Sequence, residues 1–323
     1  MTTMNEFELA RRVFGEPEDD AEARDRLRGR LLDAIAGEPV RLAARRRRRW
    51  RAAATAVAAA LTIGLVATLV LPSANAAAAA ELRRLGRLAA EQRSPDLAPG
   101  EFLLTRTDEL RTEGNSFLDS GVSITVVSRV RVSTWIAGDG SGFRRTEVIS
   151  SDFASPEDRR AWEEAGRPDV LPAAGEVREE RYAAGAVTLF DTSELPTDPD
   201  RLLEALRSGA VVERASGDDQ VFLLVGDILA FGNARAELRT ALFEVAAKLE
   251  GVRLVGTVED PLGRQGVAIY VDGANARTQL VFDPRTARLL AIADYPIADG
   301  APGPLRSWIA LLETTVVNSP PSF

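Results

Sequence analysis

The 323-residue chain contains no histidine and no cysteine, and its one lysine, Lys248, stands against 39 arginines. Aromatic residues make up only 6%. Each absence removes a class of chemistry. Without cysteine there is no thiolate nucleophile and no disulfide framework. Without histidine there is no imidazole base, so a Ser-His-Asp triad cannot be built. Tetrahedral zinc sites of the Cys/His kind are excluded as well. Carboxylates, hydroxyls, arginine and a single lysine remain. The replacement of lysine by arginine reads as the coding bias of a GC-rich genome, and the abundance of alanine agrees.

Charge is absent from one stretch. Ala52 to Leu71 holds 20 residues without a charged side chain. A bilayer core of about 30 Å needs ~20 helical residues at ~1.5 Å each. Leu61, Ile63, Leu65, Val66, Leu69, Val70 and Leu71 would supply most of the insertion energy. Directly before the run stand Arg45, Arg46, Arg47, Arg48, Arg49, Trp50 and Arg51. After it no charge appears until Glu81. The positive-inside rule then places the N-terminus in the cytoplasm and the C-terminal part outside, with Trp50 as the interfacial aromatic. The expectation is a single-pass plasma-membrane protein held by a signal-anchor, the lipid bilayer being its first partner. The alternative is a late signal peptide cleaved at Ala74-Asn75-Ala76, although the h-region would be unusually long.

This divides the chain into a cytoplasmic helical, Arg-rich segment (1–51), a transmembrane helix (52–71), a stalk or linker helix (72–93) and an exterior domain (94–323). Residues 1–51 carry a net charge of +3, and residues 72–323 a net of −11. The only dense basic run lies against the membrane, where anionic lipid accounts for it, so no nucleic-acid partner is expected. In the cytoplasmic piece, Asn5–Phe14 and Asp20–Ile35 read as helices, the second with Leu27, Leu31 and Ile35 on one stripe. That stripe suits either a solvated tail or a docking element.

The exterior part reads as strands, then helices, then strands. Glu101–Thr107 is an expected strand and Asn115–Gly121 a loop. From Val122 to Ser133 apolar and polar residues alternate, which is a long strand with one wet face. Gly138–Gly142 turns the chain into a returning strand, Phe143–Ile149. Ser155-Pro156 and Asp198-Pro199 each open a helix as cap and first-turn proline. Asp218–Phe231 and Ala234–Leu249 form a helical pair. Strands resume at Val252, with turns at Asp260 to Gly263, at Asp272-Gly273 and at Asp283-Pro284, and a loop at Pro296–Pro304. The fold class expected is α+β, a curved antiparallel sheet covered by helices.

No cofactor-binding, catalytic or metal motif emerges. Gly138 to Gly142 does not open a helix, so it is no phosphate cradle. Walker and G-x-S-x-G patterns are absent. Asp19-Asp20 and Asp218-Asp219 suit helix starts, and Lys248 suits a helix end.

One set of residues does resemble a known group. Leu195-Pro196-Thr197-Asp198-Pro199 through Leu206, Leu238-Arg239, Ala241-Leu242, Gly251-Val252, Asp260 with Gly263-Arg264 and Gly266-Val267, and Phe282-Asp283-Pro284 with Thr286 and Leu289-Leu290 resemble an uncharacterised actinobacterial family. Its members are single-pass membrane proteins with a large exterior domain, often encoded near extracytoplasmic-function sigma factors. The resemblance implies topology and a hint of signalling, and no catalytic residues. Two functions follow as expectations. One is a non-catalytic protein whose exterior domain binds a ligand or envelope protein in an apolar cleft. The other is an anti-sigma-like transmembrane regulator whose cytoplasmic helix pair holds a sigma factor.

Overall fold

The computed structural model describes residues 74–92, 97–117, 122–184, 192, 194–208 and 217–318. Residues 1–51 and the apolar run 52–71 lie outside these, as do the orienting arginines, Trp50 and the two N-terminal helices. Among the described residues no helix is long and apolar enough to cross a membrane.

The described chain is α+β, as expected: five helices and one large curved antiparallel sheet. Helix α1 spans Ala74–Ala90. Strands β1 (Phe102–Phe117), β2 (Val122–Ala137) and β3 (Gly142–Phe153) follow, then α2 (Pro156–Glu164) and β4 (Val177–Tyr182). Three helices come next: α3 (Pro199–Arg207), α4 (Asp218–Phe231) and α5 (Ala236–Lys248). The end is β5 (Arg253–Glu259), β6 (Gln265–Asp272), β7 (Ala276–Phe282), β8 (Leu289–Ala298), the two-residue β9 (Ala301–Pro302) and β10 (Ser307–Val317).

The spatial order is β4-β3-β2-β1-β10-β8-β7-β6-β5, with β9 on β8. Two four-stranded meanders, β1–β4 and β5–β8, are thus joined by the last strand alone. That strand is shared unequally. It pairs with β1 over most of its length, from Trp308 opposite Leu110 to Val317 opposite Phe102. It pairs with β8 only from Ser307 to Ala310. Beyond Ala310 the sheet forks.

The strands form where cross-strand pairs satisfy them. Ile124, Val126, Val130 and Val132 of β2 are buried, while Arg131 on the other parity is exposed. Strand β1 continues past Thr107 into the stretch expected as a loop, pairing Asn115 with Ile124 and Phe117 with Val122. Its polar residues are held in place: the buried Asp108 takes Arg129 at 2.8 Å, and the buried Glu109 takes Arg111 at 2.6 Å. At the β2–β3 turn Asp139 accepts from the backbone N–H and hydroxyl of Ser141. A side chain at Gly142 would strike the carbonyl of Trp135, so glycine is required there. The middle of the chain is not wholly helical, because Val177–Tyr182 forms edge strand β4 on β3. Its exposed run of Arg and Glu residues discourages pairing with a further strand. The Pro296–Pro304 segment carries the short β9 pairing.

Helix starts follow their caps. The Ser155 hydroxyl accepts from the Asp158 N–H, and the Asp198 carboxylate from the Arg201 N–H. Asp218 and Asp219 sit in the first turn of α4. Lys248, at the end of α5, pairs with Asp200 at 2.6 Å on the surface.

The main core lies between the helices and one face of β6–β8. Helix α1 belongs to it. Ala78, Leu82, Leu85 and Ala89, one stripe of the helix, are almost completely buried with Leu238, Leu242 and Phe243 of α5. The residues expected as a stalk are therefore a wall of the domain. Each such leucine stabilises the fold by about 1.5–3 kcal/mol. The opposite face of the sheet is built of small residues, Ala268, Ala291, Ala293 and Ala310, beneath Trp308.

Candidate functional site

A cavity of about 270 Å³ opens at the fork of the sheet. It forms because β10 leaves β8 there while the helix layer passes over the gap. Leu103 of β1, Leu289 of β8 and Leu311 of β10 contribute its sheet side. Leu229 and Ala230 at the end of α4 and Phe243 of α5 contribute its helix side. Polar groups line it as well, and supply at least as much of its surface: Gln92, Asn233, Arg239, Arg288 and Thr314. Among the described lining residues two are cationic and none carries a carboxylate.

Each wall is fixed by specific bonds. Arg239 donates to the carbonyls of Ala234 at 2.6 Å and Ala89 at 3.2 Å, and to that of Gln92. Two of these carbonyls, Ala89 and Gln92, lie where α1 ends. Burial lowers the pKa of this guanidinium. Arg84 donates to the carbonyl of Pro284 at 2.9 Å, tying α1 to the β7–β8 turn. In that turn Asp283 accepts from the N–H groups of Arg285 and Thr286 at 2.8 and 3.3 Å. The next residues, Ala287, Arg288 and Leu289, line the cavity. The arginine at position 288 is exposed, and its guanidinium makes no hydrogen bond or ion pair among the described residues.

The fork itself is closed by Arg264. Its two terminal nitrogens donate to the carbonyl of Leu311 at 2.7 Å and that of Leu290 at 2.9 Å, one from each diverging strand. Its Nε donates to the Asp260 carboxylate at 2.7 Å. Asp260 is buried and also accepts from the N–H groups of Leu262 and Arg264. Gly263, with φ of +79°, completes that turn. The two turns read from sequence thus lie at the cavity's periphery. Asp260 orients the arginine that bridges the fork, and Pro284 holds the helix that walls the cavity.

The lining residues themselves were not read from sequence. They come from six separate elements and three turns between Ala89 and Thr314, and a lone leucine on a strand carries no mark of facing a void. Among the described residues no group of three metal-ligating side chains comes together.

No family model matches the chain, and no curated protein matches it. Among solved structures it is similar to a DUF1329 family protein from Desulfovibrio piger, at 10% identity and a TM-score of 0.21, over 75% of this chain and 92% of that one.

Proposed function

We propose that the protein is a non-catalytic, single-pass membrane protein whose exterior domain binds a small ligand in the cavity at the sheet fork. The observation that carries this reading is the cavity itself: the apolar side chains of Leu103, Leu229, Phe243, Leu289 and Leu311 share its wall with polar groups that supply at least as much of the surface, among them Asn233, Arg239 and Arg288. Such a concave site, apolar side chains beside polar groups that fix orientation, can hold a small molecule with both a polar and an apolar part. The membrane assignment rests on the uncharged run Ala52–Leu71 and the arginines before it. The cytoplasmic segment and the outside location of the domain follow from the same run.

The test is mass spectrometry of small molecules released from the full chain purified in nanodiscs. A compound recovered from the wild type and lost in Leu103→Trp, which fills the cavity, supports binding. Identical extracts from the two proteins would remove the reading.

A second reading draws on α1. Only Pro72 and Ser73 separate the apolar run from this helix, whose far end lines the cavity through Ala89. A ligand touching that end could bias the cytoplasmic segment, as in an anti-sigma-like regulator. A pull-down with the full chain that recovers no sigma factor argues against it.

A further inference from the structure

We infer that the ligand is a small organic carboxylate, an anionic head on a compact apolar body; this rests on the cavity reading above and sharpens it. Three observations carry the inference. First, the described lining holds two guanidinium groups, Arg239 and Arg288, and no carboxylate. The chain around it is acidic, with a net of −11 over residues 72–323, so the cavity's sign runs against its surroundings. A positively lined cleft with low-dielectric walls attracts anions and repels cations.

Second, the two arginines differ in role. Both terminal nitrogens of Arg239 are spent on the carbonyls of Ala89, Gln92 and Ala234, so they are held while its charge stays beside the cavity. Arg288 is exposed, and its planar fork of donors has no acceptor among the described residues. A carboxylate fits such a fork with two parallel hydrogen bonds. Arg288 is the group that would grip the head, and Arg239 the fixed charge behind it.

Third, the volume bounds the body. An apolar cavity of about 150 Å³ takes one benzene, so one of 270 Å³ takes a body of about ten carbons. A diacyl lipid, with some thirty or more tail carbons, does not fit at about 25 Å³ per carbon on the same scale. The apolar body would lie against Leu103, Leu289, Leu311 and Phe243.

The test uses two probes of one shape and different charge, 2-naphthoate and 2-naphthamide. Their binding to the full chain in nanodiscs is measured by equilibrium dialysis, with empty nanodiscs as baseline. The expected result is binding of naphthoate at least about tenfold tighter than naphthamide, the ratio a charge-assisted pair typically supports. Arg288→Gln should lower that ratio several-fold while naphthamide affinity holds. Leu103→Trp should abolish both. Equal affinity for the two probes, or a ratio that survives Arg288→Gln, would overturn the carboxylate inference and leave the cavity reading standing. Binding of neither probe, or binding that Leu103→Trp does not affect, would overturn both.

Discussion

Single residues decide two features of this domain. Arg264 spans the fork, bonded to one carbonyl on each diverging strand and to the buried Asp260. Arg264→Ala would leave that carboxylate buried without its cation, and both carbonyls open. Removing one partner of a buried pair costs about 3–5 kcal/mol, so urea denaturation should show a loss of that size. Arg264→Lys should recover little of it, because one ammonium cannot reproduce the planar fork. Asp227, on α4, is the second case. It is partly buried, its carboxyl makes no hydrogen bond among the described residues, and burial pushes that carboxyl up to about 7. An unfolded aspartate titrates near ~3.9. Between these values the folded form holds a proton that the unfolded form has lost, so raising the pH through this window destabilises the fold. Asp227→Asn should therefore change stability little at pH 4 and raise it at pH 8, flattening the profile between. Thermal melts across that range check it, and a parallel shift at both ends would contradict it.

At the scale of elements, helix α1 is the least expected wall. Its stripe of Ala78, Leu82, Leu85 and Ala89 packs on α5, and a Cβ at Gly86 would stand 3.1 Å from that of Phe243. Leu85→Ala should cost about 2–5 kcal/mol. Gly86→Leu should separate the two helices, and hydrogen exchange of α1 amides should rise with it. The sequence periodicity made some elements legible and hid others for a physical reason. Strand β2 was readable because its two faces meet different surroundings, one core and one solvent. Helices α3 and α4 were readable from Asp198-Pro199 and from the run Asp218–Phe231. Strand β4 was not, because its residues are exposed on both sides and nothing in Val-Arg-Glu-Glu-Arg-Tyr alternates in polarity. The far half of β1 was missed because its carboxylates look like loop residues until Arg129 and Arg111 are placed beside them. The stalk expectation for α1 failed to register that its alanines and leucines form one buried stripe.

For the whole molecule, the decisive fact is the topology. Two meanders meet through β10, which holds β8 by only its first residues and then parts from it. A register set over such long sequence distances leaves no local trace, so the cavity at the fork was not legible, although Asp260 and Asp283-Pro284 at its edge were. A ligand that binds only the folded domain should raise its stability by RT ln(1 + [L]/Kd), about 2.7 kcal/mol at a concentration of 100 Kd. For 2-naphthoate that gain should appear in wild type and vanish in Leu103→Trp.

The most direct measurement watches the cavity itself. Methyl-labelled leucines of the full chain in nanodiscs are followed by NMR as 2-naphthoate is added. The account predicts saturable shifts at Leu103, Leu229, Leu289 and Leu311, with Leu110 and Leu202, which do not line the cavity, unmoved. Shifts confined to leucines outside that set, or none at any concentration, would contradict it.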